Sequence, residues 1–265
     1  MPNMFERLGR QYRYEGKPPE FLLTHPVTES RIADTRNRAE QYPKGGKEDS
    51  LRYELMRARV QQMFEDTPGM ASKQFRAQLD EDPKNDAARY GLALSQTKIG
   101  QLNDARSNLQ QLLAKAPNDI SYNLAMSDLD ITANKLPDAQ ARVQKMLGQY
   151  PESYPLIQAQ ADLMMKTNRA ADAEKTLFKL SQRRPLDPDV WNRLADACTL
   201  SGNAIGVYQA RAEYYALTGD YKQAIEQLDF AKRRAGGNFT LAARLDARQQ
   251  EFRDQERILK EMMGR

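Results

Sequence analysis

A repeat of 34 residues runs through much of this 265-residue sequence, and several columns of residues share its register. Prolines follow the period at Pro83, Pro117, Pro151 and Pro185. Alanines follow it at Ala71, Ala105, Ala139 and Ala173. Large apolar residues keep the same step at Phe75, Leu109, Val143 and Leu177. A fixed period of this length indicates similar units that stack side by side, because one unit alone cannot bury its apolar face.

The columns fit two antiparallel helices per unit, and 34 residues is the length of a tetratricopeptide repeat (TPR). Gly100, Asn134 and Asn168 stand between the two helices of successive units, where a left-handed residue commonly ends a helix. The small alanine lets the second helix approach the first closely, and the proline twelve residues later ends that second helix. The sequence therefore predicts an all-α fold, a right-handed TPR superhelix (α-solenoid) of about four to six helix pairs.

The register predicts a regular TPR region followed by a less regular C-terminal part. The regular region covers 47–187, with units at about 52–85, 86–119, 120–153 and 154–187. Residues 188–239 are predicted to form atypical units, because Gly202 and Gly219 lie so close together that one helix, about 204–217, must serve two units. Residues 240–265 carry apolar positions among alternating charges and are predicted to form a capping helix.

Charge and composition exclude several functional classes. The net charge is only +4, with 40 basic and 36 acidic residues mixed along the chain, so no nucleic-acid partner is expected. No apolar run is long enough to span a membrane, and the sequence does not open with the pattern of a signal peptide. Cys198 is the only cysteine and is expected to be a small buried apolar residue rather than a nucleophile.

The repeat register also predicts which side chains face the concave surface of the stack. One position recurs as Asp128, Asp162 and Asp196. Two interpretations of these aspartates stay open: a solvated polar face, or an acidic column that pairs with Lys, Arg or N–H groups of a bound segment. The other residues predicted to line a partner-binding groove are Tyr90, Leu94, Leu124, Ile131, Gln158, Met165 and Asn192. Aromatic, Met and amide side chains suit adaptable peptide binding, although core packing is their commoner role.

Residues 1–46 do not follow the repeat. Pro26 and Pro43 bracket a helix predicted from about 28 to 40, and the rest is expected to be loop, in part disordered. The segment 19–32 reads Pro-Glu-Phe-Leu-Leu-Thr-His-Pro-Val-Thr-Glu-Ser-Arg-Ile. It resembles the segment that follows the zinc-binding core in HExxH metallopeptidases of the HtpX type, so residues 1–46 would be the tail end of a metallopeptidase domain.

Joined to a TPR array, this motif resembles the C-terminal half of the BepA-like family, the β-barrel assembly-enhancing proteases of Gram-negative bacteria. The resemblance implies the protein-binding TPR module of a periplasmic zinc metallopeptidase with chaperone and quality-control roles. Its implied partners are the outer-membrane β-barrel assembly complex, misassembled outer-membrane proteins and the protein's own N-terminal peptidase domain. The alternative is a TPR scaffold of an envelope or secretion assembly that has no protease.

The same resemblance predicts that this chain is not itself the catalyst. An HExxH helix supplies two zinc ligands and the general base, whereas the only histidine here is His25, followed by Pro26. We therefore expect no catalytic residue and no cofactor in this fragment, with zinc bound in the intact parent, a zinc metalloendopeptidase. Two interpretations of His25 stay open: a structural residue of its loop, or a residue close to the zinc of the intact protein.

Overall fold

The computed structural model describes residues 29–42 and 49–264, which form thirteen α-helices and no β-strand. The chain divides after Ser50 into two units, and helix α1 (Glu29–Glu40) lies in the first. This helix agrees with the one predicted between the two prolines, and Asp34 pairs with Arg38 one turn later along it. His25 and the rest of the motif that precedes α1 lie outside the described residues, so the two interpretations of His25 stay predictions.

The second unit consists of twelve described helices that follow one another as antiparallel neighbours. The first six are α2 (Leu51–Phe64), α3 (Pro68–Glu81), α4 (Asp86–Lys98), α5 (Leu102–Lys115), α6 (Ile120–Thr132) and α7 (Leu136–Gln149). The other six are α8 (Tyr154–Lys166), α9 (Ala170–Arg183), α10 (Pro188–Ser201), α11 (Ala204–Leu217), α12 (Tyr221–Ala235) and α13 (Phe239–Met262). Each helix packs on its neighbours along the chain, and α6 also touches α4 and α8, which confirms the predicted all-α solenoid.

The turns follow the signals that repeat in the sequence. Gly100, Asn134 and Asn168 have φ angles of 79°, 57° and 57°, the left-handed conformation predicted for the turn inside each unit. The four prolines of the repeat all lie in the loops that separate units, namely Pro83, Pro117, Pro151 and Pro185. Proline lacks the N–H that a helix interior needs, so this column fixes where each second helix ends.

The core is built from the columns that define the repeat. The alanines of the second helices are fully buried, namely Ala71, Ala105, Ala139 and Ala173. The apolar residues one turn further on are buried as well, namely Phe75, Leu109, Val143 and Leu177. Each of these larger side chains contributes roughly 1.5–3 kcal/mol by leaving water. The small residues permit the close helix approach, and the large ones supply most of the buried apolar area.

The first helix pair departs from the other pairs in its packing. Helix α2 packs mainly on α4 and only lightly on α3, its neighbour in sequence. Leu55 and Ala58 of α2 share an apolar cluster with Phe75 and Tyr90. The turn between α2 and α3 is short, because α3 already begins at Pro68 and Thr67 caps it by accepting a hydrogen bond from Met70 N. Thr-Pro is a typical N-cap and first-turn pair, which explains the early start.

The C-terminal part of the chain contains helices α11, α12 and α13. Helix α11 packs on both α10 and α12, and the turns before and after it contain Gly202 and Gly219 with φ angles of 80° and 87°. Helix α13 is 24 residues long and buries Leu245 and Phe252 against the preceding helices. None of the described helices is both long and apolar enough to cross a bilayer.

Candidate protein-binding groove

The repeat region contains a groove of about 1010 Å³. Helices α2, α6 and α8 form its walls, together with the loops that precede α6 and α8. Arg193 of α10 closes one end. A cavity of this size is within the range of pockets that bind ligands, and an open groove suits a polypeptide segment better than a small molecule.

Equivalent positions of two successive repeats form the longest wall of the groove. On α6 these are Leu124, Asp128 and Ile131, which share one helix face because they are spaced by four and three residues. On α8 the corresponding residues include Gln158 and Asp162, each 34 residues after its counterpart. The acidic position therefore recurs on both helices, whereas the position of Leu124 carries the amide Gln158 in the next repeat.

The two aspartates that occupy the same position of successive repeats, Asp128 and Asp162, differ in the contacts of their carboxylates. Asp162 forms an ion pair with Arg193, which reaches back from α10. The Asp128 carboxylate makes no ion pair or hydrogen bond with the described residues, although it is exposed to solvent. The surrounding protein atoms displace part of the water around this exposed residue and so raise the pKa of Asp128, Arg59 acts in the opposite direction, and the charge of Asp162 adds to the rise. Asp128 is thus an anion without an intramolecular partner in a concave site.

The apolar part of the groove comes from three helices. Leu124 and Ile131 of α6, Met56 of α2 and Tyr154 of α8 all line it. The Tyr154 hydroxyl accepts a hydrogen bond of 2.7 Å from Gln158 Nε2, which fixes both side chains in the wall. Arg184 stacks 4.2 Å from the centre of the Tyr154 ring. A bound segment would meet an ordered aromatic surface beside an unpaired carboxylate.

Three predicted groove residues belong instead to the packing between helices. Tyr90 is fully buried, because α2 covers the inner face of α4, and its ring lies 5.9 Å from that of Tyr122. Its hydroxyl accepts a hydrogen bond of 3.3 Å from Arg59, and burial raises the pKa of this phenol. Leu94 and Met165 are partly buried against apolar clusters and do not line the groove.

Two further predicted residues, Asn192 and Asp196, are exposed on α10 but outside the groove. The 34-residue register placed Asp196 in a column with the other two aspartates. Stacked repeats rotate slightly relative to one another, so equivalent positions turn away from a common line over several units. The acidic column that lines the groove is therefore two residues long, and α10 contributes the cation Arg193 in place of a third acid.

The sequence did not predict the contribution of α2. Arg52, Met56 and Arg59 line the groove because α2 lies against α4 rather than α3. Arg193 was also missed, although its position 31 residues after Asp162 places it roughly one turn from the equivalent site in the next repeat. The signal available in the sequence was a basic residue about one helical turn from the position that carries aspartate in three successive repeats.

Comparison with known proteins agrees with this fold. A tetratricopeptide repeat family matches residues 70–129 and 131–197. The crystal structure of PilW, a "widely conserved type IV pilus biogenesis factor", superposes with a TM-score of 0.52 over 75% of this chain and 91% of that chain. The identity is 20%, so this likeness concerns the fold alone.

Curated relatives match nearly the whole chain. The β-barrel assembly-enhancing protease of Yersinia pestis is 34% identical over 258 residues, covering 96% of this chain and 52% of the relative. That of Escherichia coli (strain K12) is 33% identical over 264 residues, covering 97% and 53%. A putative β-barrel assembly-enhancing protease of Vibrio cholerae is 36% identical over 253 residues, covering 94% and 52%. The chain spans about half the length of the curated relatives it matches.

The helices, the turns and the family match together define an all-α solenoid built of tetratricopeptide repeats. The homologues that cover it are β-barrel assembly-enhancing proteases, and the chain is consistent with the C-terminal TPR region of that family. The similarity to these relatives agrees with the resemblance that the segment around Thr24, His25 and Pro26 indicated.

Proposed function

We propose that this chain is the protein-binding TPR module of a periplasmic zinc metallopeptidase of the β-barrel assembly-enhancing type. Its partners are the outer-membrane β-barrel assembly machinery, misassembled outer-membrane proteins and the peptidase domain of the same protein. The observation that carries the proposal is the groove with an unpaired Asp128, within a repeat region whose relatives are named as such proteases. Similarity over 96% of the chain favours this function over a TPR scaffold without a protease.

In this proposal the groove selects a segment and the peptidase domain cleaves or releases it. A Lys or Arg of the segment pairs with Asp128, and neighbouring apolar residues contact Leu124, Ile131 and Tyr154. Such a pair forms in a concave site that already excludes part of the water, so it adds specificity as well as affinity. In this proposal, a misassembled β-barrel protein supplies such a segment.

Zinc chemistry is assigned to the intact parent and not to the groove. In the part of the chain that the structure describes, no three His, Cys, Asp or Glu side chains converge to hold a metal ion. No metal-binding role is proposed for the described residues. The role proposed for this chain is to bind and position.

Site-specific photocrosslinking in cells tests the proposal. A photoreactive residue replaces Leu124 or Gln158 in the groove, with Asn192 and Asp196 on α10 as control positions outside it. The intact parent protein is used so that the peptidase domain is present. We expect components of the β-barrel assembly machinery or outer-membrane β-barrel proteins to be captured from the groove positions and not from the controls. Capture that is equal at both sets, or absent from the groove, contradicts the proposal.

A further inference from the structure

A second cavity lies between α9, α10, α11 and α13, and it shares no lining residue with the groove. Its volume is about 440 Å³, which is enough for one large side chain and the backbone next to it. Apolar residues from three helices form most of its wall, namely Phe178, Trp191, Leu194 and Leu245. We call it the C-terminal pocket, after the helices that form it.

Most charged groups of the C-terminal pocket already form hydrogen bonds or ion pairs with other residues of the chain. The two carboxylate oxygens of Glu174 accept hydrogen bonds from the Ser201 hydroxyl at 2.5 Å and the Asn203 amide at 2.6 Å. Glu213 forms a two-point ion pair with Arg248, with distances of 2.7 Å and 2.5 Å. These groups form a fixed polar frame around the apolar wall, and they have little capacity left for a ligand.

Two cationic side chains of the pocket have no ion pair with the described residues. Lys175 of α9 and Arg244 of α13 both line it and are exposed to solvent. Neither forms an ion pair or a side-chain hydrogen bond with the residues that the structure describes. Unpaired cations beside an apolar cavity are complementary to a ligand that carries a carboxylate next to an apolar group.

We propose that the C-terminal pocket binds the last residue of a polypeptide chain that ends in an aromatic or large aliphatic side chain. The side chain contacts Phe178, Trp191 and Leu245, and the terminal carboxylate pairs with Lys175 and Arg244. An internal segment has no such carboxylate, so the pocket distinguishes chain ends from chain interiors. This site acts independently of the groove and does not depend on the function proposed for it.

The chemistry of the pocket floor fits an apolar side chain. Cys198 lies there, and burial raises the pKa of its thiol to about 12, with Glu174 adding to the rise. The thiol is therefore neutral at neutral pH and adds apolar surface rather than negative charge. Gly206 on the facing helix keeps the wall open, since a Cβ there would lie 2.8 Å from the Cys198 sulfur.

The chain has a single tryptophan, Trp191, and it lines the pocket, so its fluorescence reports binding directly. The probes are two synthetic pentapeptides of sequence Gly-Ser-Gly-Ser-Phe with an acetylated amino end. One carries a free carboxylate and the other a C-terminal amide. We expect the free acid to bind about 5–10-fold more tightly than the amide, because about 1 kcal/mol separates an exposed ion pair from none.

Variants identify the groups that carry this preference. The double variant Lys175→Ala/Arg244→Ala should abolish the difference between acid and amide, whereas Phe178→Ala should weaken both peptides alike. Lys179→Ala, which removes an exposed lysine of the same helix outside the pocket, should keep the wild-type preference. Circular dichroism verifies that each variant is folded. Asp128→Asn should leave the binding of both peptides unchanged, which separates this site from the groove.

Three results would overturn the assignment: equal affinity for acid and amide, an unchanged preference in the double variant, or no response of Trp191 to either peptide. A fourth arm uses decanoate, which has a carboxylate and an apolar chain but no peptide backbone. Weaker binding than that of the peptide acid supports a polypeptide end as the ligand. Tighter binding of decanoate than of the peptide acid would indicate a pocket for anionic amphiphiles and would contradict the proposal.

Discussion

At the scale of single residues, Asp130 is the most deeply buried charge in the described repeats. Its carboxylate accepts hydrogen bonds from Arg106 of α5 at 2.6 Å and Arg142 of α7 at 3.4 Å, and so ties three helices together. Asp130→Asn keeps the shape but leaves both guanidinium groups without an anion. We expect the free energy of unfolding to fall by about 3–5 kcal/mol, measured by urea unfolding.

The control for this prediction is Asp138→Asn, which removes an exposed carboxylate of α7 that makes no ion pair with the described residues. Its effect should stay within about 0.5 kcal/mol, as for most surface substitutions. Equal unfolding curves for the two variants would show that the buried network does not stabilise the fold.

Gly91 is required by the close approach of α3 and α4. A Cβ on Gly91 would lie about 2.5 Å from ring atoms of the buried Phe75, so one of the helices would have to move. We expect Gly91→Ala to cost about 1–3 kcal/mol as an overpacking change. Gly148 of α7 has open space around it, so Gly148→Ala should instead stabilise by up to about 1 kcal/mol through its helix propensity. Thermal unfolding of the two variants should shift in opposite directions.

The raised pKa of Asp128 predicts a pH-dependent cost to stability. Burial makes the ionised carboxylate less favourable in the folded protein than in the unfolded chain, and Arg59 offsets this only in part. Because Asp128 is exposed and solvent screens the effect, Asp128→Asn should raise stability at pH 7 only slightly, and the gain should disappear as the pH falls below the ordinary pKa of Asp, where both states bind the proton. Urea midpoints at pH 7 and pH 3 test this, with Asp196→Asn as the control for loss of one charge. A variant less stable than the wild type at pH 7 contradicts it.

At the scale of helices, local signals account for most of what the sequence could predict. The turn residues, the prolines and the buried alanines recur in each unit, so every helix from α4 to α10 has start and stop signals of its own. The placement of α2 could not be predicted in the same way. Both of its faces are apolar, with Leu55 and Ala58 buried and Val60 and Met63 exposed, so the pattern does not say which face packs.

The packing of α2 on α4 also explains one error in the predicted groove, the assignment of Tyr90. Leu124, Ile131, Gln158 and the first two aspartates were placed from the repeat register alone, and they do line it. Tyr90 was assigned to the groove by the same register, but a helix that lies over α4 buries it. A register predicts which face of a helix points inward, and only the tertiary packing decides whether that face is covered.

The contact of α2 with α4 should be a major source of stability for the first repeat. Leu55 is fully buried in this contact, whereas Val60 on the same helix is about half exposed. Leu55→Ala should lower the free energy of unfolding by about 2–5 kcal/mol, and Val60→Ala should have little effect. Hydrogen exchange should become faster in α2 and α4 of the first variant only. Unchanged protection of α4 in Leu55→Ala would mean that α2 does not lie on it in solution.

At the scale of the whole molecule, the repeat architecture separates two functions in space. Each pair of helices contacts only its neighbours, so a groove on α2, α6 and α8 and a pocket among α9 to α13 can bind different features of a partner. The fold class followed from the 34-residue period alone. The family followed from a short segment outside the repeat, because the packing pattern of a TPR array does not distinguish one family from another.

If the groove around Asp128 binds partner polypeptides, reversing the charge of Asp128 should weaken that binding. Asp128→Lys and Asp196→Lys make the same change at the same position of two repeats, inside and outside the groove. Fluorescence anisotropy measures the affinity of each variant, in the intact protein, for a labelled unfolded outer-membrane β-barrel protein. We predict that Asp128→Lys weakens binding about tenfold or more, whereas Asp196→Lys leaves it within about twofold. Equal affinities for the two variants would contradict the account.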